Sequence, residues 1–246
     1  VPAKPLVDHA REHGYAVPAF NTNGGTYDIA RAALEAAREM CSPLILQVYE
    51  PNAAYRGFGY FVTLARHLCD ELELSVPVAL QVDHGHGVES VARAIEAGFT
   101  SVMIDASHES FGDNVRITGE VLALARARGV SVEAEIGYVK GNEPRPGPQI
   151  GRIPVPEQPV ILPSKTTVEE AVRFVAAVDV DMLAVSVGTT HGVFRTQKEI
   201  DFDLLARLRE AVSVPLVQHG TGGIAHEDLA RLAAGGMAKV NFGEPF

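Results

Sequence analysis

Three histidines in this sequence share one local setting, because each ends a short apolar run and is followed at once by glycine. They are His84, His191 and His219, in the stretches 78–85, 183–192 and 215–220. Three neutral imidazoles leave a coordination position open for a substrate, as a catalytic zinc site requires. Each histidine taken alone is better explained as a hydrogen-bonded residue at a strand end. The repeated setting instead favours one shared metal site.

Further polar residues stand at or just past the ends of apolar runs. They are Asp83, Asp105, Glu135 and Asn241. These side chains can form one site only if the carboxyl ends of their strands lie close together. The apolar runs alternate with segments whose apolar residues recur at helical spacing, which gives eight candidate strands. This alternation predicts an α/β fold, a (β/α)8 TIM barrel, and a doubly wound open sheet is the alternative. We favour the barrel because it brings the carboxyl ends of all strands to one mouth, whereas an open sheet spreads them along an edge.

The predicted elements cover most of the chain. The strands are 16–20, 44–48, 78–82, 101–104, 131–136, 182–187, 216–218 and 239–242, and the helices are 6–13, 26–40, 60–72, 88–97, 114–127, 167–178, 203–211 and 226–234. The segment 137–165 holds seven prolines and four glycines, so we expect no regular structure there. Because the sequence stops soon after the eighth strand, the last helix region of the barrel is expected to be short or missing, leaving apolar surface uncovered.

Composition narrows the class of protein. With 246 residues and 46% hydrophobic residues, the chain can form one domain, 1–246. A net charge of -10 without a basic run argues against nucleic acid and anionic membranes as partners, and favours a small molecule. Cys41 and Cys69 show no metal-binding or disulfide spacing. The absence of a signal-type segment and of a bilayer-length apolar run predicts a cytoplasmic protein.

Seven short motifs in sequence order resemble the class II, zinc-dependent fructose-bisphosphate and tagatose-bisphosphate aldolases. They are 17–21, 83–85, 101–105 with Ser107, 132–137, 188–192, 219–220 and 239–241. One such motif would mean little, but seven in order are specific. The resemblance implies that His84, His191 and His219 bind Zn²⁺ or another divalent metal. It also implies that Asp83 exchanges a proton with the aldehyde oxygen, although Asp83 could instead hold a ligand histidine.

The resemblance assigns two further groups of acidic residues. Glu143 falls on a loop glutamate that removes the proton next to the ketone, but Lys140 and Pro144 depart from the family pattern there. A solvated loop glutamate is the alternative interpretation of Glu143. Asp105 and Glu135 fall on a possible second metal position, and buried hydrogen-bonding support is their alternative role.

Substrate and phosphate binding are implied for a set of polar and glycine residues. They are Asn21, Gly192, Arg195, Gly220, Thr221, Gly222 and Asn241. The family usually has serine at Gly222, and an Asp-Thr or Ala-Thr pair where this chain has Gly243 and Glu244. A carboxylate at Glu244 would repel a phosphate, so the donor substrate could differ from the usual one.

These implications together predict reversible aldol cleavage of a ketose bisphosphate through a metal-stabilised enediolate, by an enzyme that is a homo-oligomer, either a dimer or a tetramer. Two alternatives remain. One is a metal-dependent aldolase or lyase that acts on a different donor, and the other is a catalytically silent relative that binds a metal or a sugar phosphate.

Overall fold

A computed structural model describes residues 1–137, 165–189 and 199–243. Eight parallel strands follow one another around a closed barrel, and the last pairs with the first. The strands are β1 Val17–Asn21, β2 Leu44–Tyr49, β3 Val78–Gly85, β4 Ser101–Ile104, β5 Ser131–Glu135, β6 Met182–Ala184, β7 Leu216–Gln218 and β8 Met237–Phe242. The predicted (β/α)8 barrel is confirmed, and the open sheet is wrong.

Helices connect the strands on the outside of the barrel. They are α1 Lys4–His13, α2 Tyr27–Glu39, α3 Glu50–Arg56, α4 Phe58–Glu71, α5 Val88–Ala97, α6 Phe111–Arg126, α7 Val168–Ala177, α8 Phe202–Ala211 and α9 His226–Gly235. Most lie within a few residues of their predicted bounds. No helix among the described residues is long and apolar enough to cross a membrane.

Several elements differ from the prediction. β6 ends at Ala184 and not at position 187, and α6 begins at Phe111 and not at position 114. The seven-residue helix α3, which has a proline in its first turn, was not predicted because it is too short to show helical periodicity. β3 continues past its apolar run as far as Gly85, so Asp83 and His84 belong to the strand rather than to the loop after it. Their side chains therefore receive their positions from strand pairing.

The apolar core has two layers. The larger layer lies between the strands and the surrounding helices. The smaller one fills the barrel interior with residues such as Ile45, Met182 and Val217, and α1 packs against it through Leu6 and Val7. The polar residues predicted at the strand ends lie at the opposite, carboxyl-terminal end of the barrel.

Among the described residues, one side of the barrel has an apolar groove. An apolar groove of about 560 Å³ runs over β1 and β8, between α2 and α9. The stacked rings of Phe20 and Phe242, with centroids 4.9 Å apart, lie in it. No helix follows β8 in the part of the chain that the structure describes.

Candidate metal centre

An irregularity in β3 determines where His84 points. The register between β3 and β4 shifts between Val82 and Gly85, and His84 has a φ angle of 49°, in the left-handed region. Such bulges and strained conformations often re-aim a side chain at a functional site. Gly85 is required beside it, because a Cβ there would lie 2.5 Å from the carbonyl oxygen of Met103.

His84 and His219 meet inside the barrel mouth. His84 Nε2 lies 3.2 Å from His219 Nδ1, and the two rings are nearly perpendicular, at 86°. Both side chains are buried. Two nitrogens bound at about 2.0–2.1 Å to one tetrahedral zinc ion would lie roughly 3.3 Å apart. The observed separation therefore suits two ligands of one ion.

A carboxylate holds the far nitrogen of each histidine. His84 Nδ1 lies 2.9 Å from Asp105 Oδ2, and His219 Nε2 lies 2.8 Å from Glu133 Oε1. Asp105 also accepts hydrogen bonds from the Ser107 hydroxyl at 2.7 Å and from the Ser107 backbone N–H at 3.1 Å. Carboxylates in this position fix the tautomer and the orientation of metal-ligating histidines. The nitrogens left facing the mouth are His84 Nε2 and His219 Nδ1.

The pKa values of the two imidazoles shift in opposite directions. Burial would lower the pKa of His84, but the charge of Asp83 and the hydrogen bond to Asp105 outweigh it and raise that pKa to about 10. Burial, reinforced by the charge of His84, lowers the pKa of His219 despite its carboxylate partner. His84 Nε2 and His219 Nδ1 face each other at the point where a divalent ion would bind.

Asp83 has a different environment from the two carboxylates that hold the histidines. Among the described residues, its oxygens accept hydrogen bonds from three side-chain amides: Asn21 at 3.2 Å, Gln47 at 3.2 Å and Asn241 at 3.4 Å. The three amide N–H donors orient the carboxylate as their acceptor. Asp83 is therefore held by amides beside the two histidines, and its alternative role of holding a ligand histidine belongs to Asp105 and Glu133.

The donor set fits a divalent metal. Ligand atoms of Asp83, His84 and His219 lie within 4.8 Å of one another, and so do those of His84, Asp105 and Glu135. Imidazole nitrogen with carboxylate oxygen is a common zinc environment. The second group includes both residues predicted for a second metal position, Asp105 and Glu135.

Comparison with known proteins places the chain in a family. A family model described as fructose-bisphosphate aldolase class-II matches residues 1–246. The chain belongs to this family. It is therefore a class II aldolase, a carbon–carbon lyase of a family that is typically metal-dependent, as the sequence predicted.

Curated relatives and solved structures agree with this membership. A fructose-bisphosphate aldolase from Geobacillus stearothermophilus is 39% identical over 98% of this chain and 79% of its own length. A 6-phospho-5-dehydro-2-deoxy-D-gluconate aldolase from Shouchella clausii is 38% identical over 98% of this chain and 78% of its own. The crystal structure of the YdjI aldolase from Escherichia coli K12 has a TM-score of 0.82 and 29% identity, covering 99% of this chain and 81% of that one.

Most of the predicted site residues of this class II aldolase lie at the mouth. Asn21 and Asn241 contact Asp83, and Thr221 donates a hydrogen bond from its hydroxyl to the carbonyl oxygen of Asn241 at 2.5 Å. Gly220 adopts a left-handed φ of 65° directly after His219. Gly222 follows in the same turn, after β7. Four predicted residues lie outside the described residues: Glu143, His191, Gly192 and Arg195.

Sequence reasoning missed the polar residues deeper in this aldolase site. Glu133 and Lys239 are fully buried and form an ion pair of 2.7 Å, and Gln81 donates to the same carboxylate oxygen at 2.7 Å. A signal was present, because Glu133 and Lys239 are charged residues inside predicted buried strands, where a buried charge needs a partner. The sequence could not show which partner, since Glu133 and Lys239 are 106 positions apart.

Proposed function

We propose that this class II aldolase cleaves a ketose phosphate at a metal centre built by His84 and His219, with His191 as the third ligand. The observation that carries the proposal is the 3.2 Å separation of His84 Nε2 and His219 Nδ1, each backed by its own carboxylate. Buried imidazoles that turn their nitrogens toward each other are costly unless a cation or a proton lies between them. A metal centre gives this arrangement a function.

The proposed metal is zinc. Nitrogen and carboxylate donors suit Zn²⁺, although other divalent ions accept the same ligands. When bound, the ion acts as a Lewis acid and stabilises negative charge that develops on the substrate oxygens. Asp105 and Glu135 are proposed as ligands of a second, alternative metal position. The proposal is supported by the ligand atoms of His84, Asp105 and Glu135, which lie within 4.8 Å of one another.

Asp83 is proposed to carry the proton of the aldehyde oxygen. In the cleavage direction it takes the proton from the substrate hydroxyl as the carbon–carbon bond breaks, and in condensation it returns it. The three amides that surround Asp83 orient its carboxylate beside the two histidines. Glu143 is proposed to exchange the proton at the carbon next to the ketone, on the strength of the sequence resemblance alone.

The substrate class is proposed as ketose phosphates with fructose 1,6-bisphosphate as the first candidate. The phosphate contacts are proposed at Gly192, Arg195, Gly220, Thr221, Gly222 and Asn241. A different phosphorylated donor is the second candidate, because relatives at 39% and 38% identity carry two different substrate names. Gly222 and Gly243, where the family usually has other residues, also favour it.

The proposal is tested by measuring carbon–carbon cleavage on a panel of fructose 1,6-bisphosphate, tagatose 1,6-bisphosphate, 6-phospho-5-dehydro-2-deoxygluconate and an unphosphorylated ketose. We expect one phosphorylated ketose to be cleaved, the activity to be lost after chelation, and zinc to restore it. Cleavage that survives complete metal removal, or a lysine adduct trapped by borohydride, would contradict the proposal. A zinc-loaded protein that cleaves none of these compounds would favour the alternative of a catalytically silent relative that binds a metal or a sugar phosphate.

The assembly and the cellular location stay predictions. A dimer or tetramer is proposed from the family resemblance, and light scattering on the purified protein would measure it. A cytoplasmic location is proposed because the sequence shows no signal-type segment and no apolar run of bilayer length.

A further inference from the structure

A buried pair of opposite charges lies directly behind His219. The side chains of Glu133, on β5, and Lys239, on β8, are both 0% exposed. Lys239 Nζ lies 2.7 Å from Glu133 Oε2, and Glu133 Oε1 lies 2.8 Å from His219 Nε2. Replacing a buried ion pair with apolar residues is often neutral or stabilising. Stability alone therefore does not explain this pair.

The Glu133 carboxylate determines which nitrogen of His219 carries the proton. Because an ionised carboxylate only accepts hydrogen bonds, the proton of a neutral His219 lies on Nε2 and points to Glu133. His219 Nδ1 is then left with its lone pair, facing His84 Nε2 at 3.2 Å. An amide or an apolar side chain at position 133 would remove this preference between the two tautomers.

Lys239 acts on a second residue of the site. Its Nζ donates to Asn241 Oδ1 at 2.7 Å. Because lysine only donates, the oxygen of this amide is the atom that faces it, and the Asn241 amide nitrogen therefore faces Asp83 Oδ1, at 3.4 Å. The same nitrogen also lies 3.1 Å from His219 Nε2, so the Asn241 amide contacts both Asp83 and His219.

We propose that Lys239 and Glu133 are positioning residues that prepare the metal ligand His219 and the proton carrier Asp83 together. Lys239 neutralises Glu133 and keeps it on the Nε2 proton of His219, and it also fixes the orientation of the Asn241 amide toward Asp83. One ammonium group thereby connects a ligand of the metal to the group that moves the substrate proton. This inference rests on the proposed function only in taking His219 as a metal ligand.

The test uses the double variant Glu133→Gln/Lys239→Met in the full chain. This variant leaves no unpaired charge in the core, so we expect it to fold, which circular dichroism would confirm. Its zinc affinity, measured by competition with a chromophoric chelator, is expected to fall by about 10–100-fold, the usual effect of removing the partner of a metal-ligating histidine. A folded double variant with the zinc affinity of the wild type would overturn the proposal.

A second measurement requires no variant. Long-range ¹H–¹⁵N correlation spectra distinguish the two tautomers of histidine. In the metal-free wild type at neutral pH, we expect His219 to carry its proton on Nε2, and in the double variant we expect the Nδ1-protonated form to appear. A wild-type His219 protonated on Nδ1 would overturn the proposal even if the double variant failed to fold.

Asp181→Asn provides the matched control. Asp181 is also a buried carboxylate, but it accepts a hydrogen bond from the Val132 backbone N–H at 2.8 Å, at the opposite end of the barrel. We expect its zinc affinity and its His219 tautomer to match those of the wild type. Neither readout uses turnover, so a protein that cleaves no substrate would contradict the proposed function and leave this inference testable.

Discussion

Two neighbouring residues at the end of β3 are proposed to have separate roles, because their partners differ. His84 faces the other imidazole and is held from behind by Asp105, whereas Asp83 is held by three neutral amides. Neutral amides orient the carboxylate of Asp83 without forming a salt bridge to it. This difference is consistent with the proposal, made from the family resemblance, that Asp83 carries the substrate proton.

Replacing Asp83 with asparagine tests that assignment. Asp83→Asn keeps the size of the side chain but removes its ability to take a proton, so we expect kcat to fall by about 10²–10⁴-fold, the usual contribution of general acid–base catalysis. Zinc bound per chain, measured by atomic emission, should stay as in the wild type. Asp181→Asn is the control, with normal kcat. Near-normal turnover in Asp83→Asn would show that another group moves the proton.

Glu50 should make stability depend on pH. Burial raises its pKa, but hydrogen bonds from the His86 ring, Ser90 and the His86 backbone outweigh burial and lower it below 4.5. A pKa lowered by folding gives stability that is present above the unfolded value and lost as the pH falls through the folded one. Glu50→Gln should therefore cost on the order of 1.5–3 kcal/mol at pH 7.

This cost should shrink as the pH falls below about 4.5, because the wild-type carboxylate then becomes neutral too. Urea unfolding of both proteins between pH 3 and pH 7 measures it. Glu12→Gln, on the exposed face of α1, controls for the loss of one negative charge. A difference between Glu50→Gln and the wild type that is constant over this range would contradict the account.

At the scale of the elements, the irregular pairing of β3 and β4 positions His84. Gly85→Ala would place a methyl group 2.5 Å from the Met103 carbonyl oxygen and 2.7 Å from Val91 Cγ2, both of which are buried. Overpacking of this kind typically costs about 1–3 kcal/mol of the free energy of unfolding. Because β3 must shift to relieve it, we also expect weaker zinc binding.

Gly119→Ala is the matched control for that prediction. Gly119 lies within α6 with nothing within 4 Å of its would-be Cβ, so the same substitution should raise the free energy of unfolding by about 0.5–1 kcal/mol. Zinc affinity should not change. Denaturant unfolding of the two variants measures the change in the free energy of unfolding, and zinc titration measures the change in zinc affinity. A Gly85→Ala variant with the stability and zinc affinity of the wild type would contradict the role given to the pairing of β3 and β4.

The sequence predicted an element well where the element is long enough to show a periodic pattern of apolar residues. The barrel, most helix bounds and the meeting of Asp83, His84 and His219 at one mouth follow from alternating apolar patterns and from polar residues at strand ends. The extension of β3 to Gly85 could not be read, because it depends on pairing with β4. The pairing of Glu133 with Lys239 was missed for a similar reason, since only barrel closure brings β5 and β8 within reach of one histidine.

At the scale of the whole molecule, the site is assembled from strands that are distant in sequence. Asn21 comes from β1, Gln47 from β2, Asp83 and His84 from β3, and Asn241 from β8, while His219 directly follows β7. None of these residues can form the site before the barrel closes. Metal binding should therefore stabilise the folded barrel as a unit.

Thermal unfolding measures this linkage. At a free zinc concentration of 100 times the Kd, binding to the folded state alone adds about 2.7 kcal/mol, which shifts Tm upward by roughly 5–10 °C for a chain of this size. Calorimetry of the metal-stripped and zinc-loaded protein would show the shift. His219→Ala should show little of it, and an equal shift in that variant would place the metal elsewhere.

The most direct test of the account is a titration of metal-stripped protein with zinc while cleavage of the best phosphorylated ketose is followed. We predict that the rate rises in proportion to bound zinc and stops at one ion per chain, and that His84→Ala and His219→Ala stay inactive at the same zinc concentration. Full cleavage activity in the stripped protein, or normal titration of either histidine variant, would contradict a metal centre built on His84 and His219.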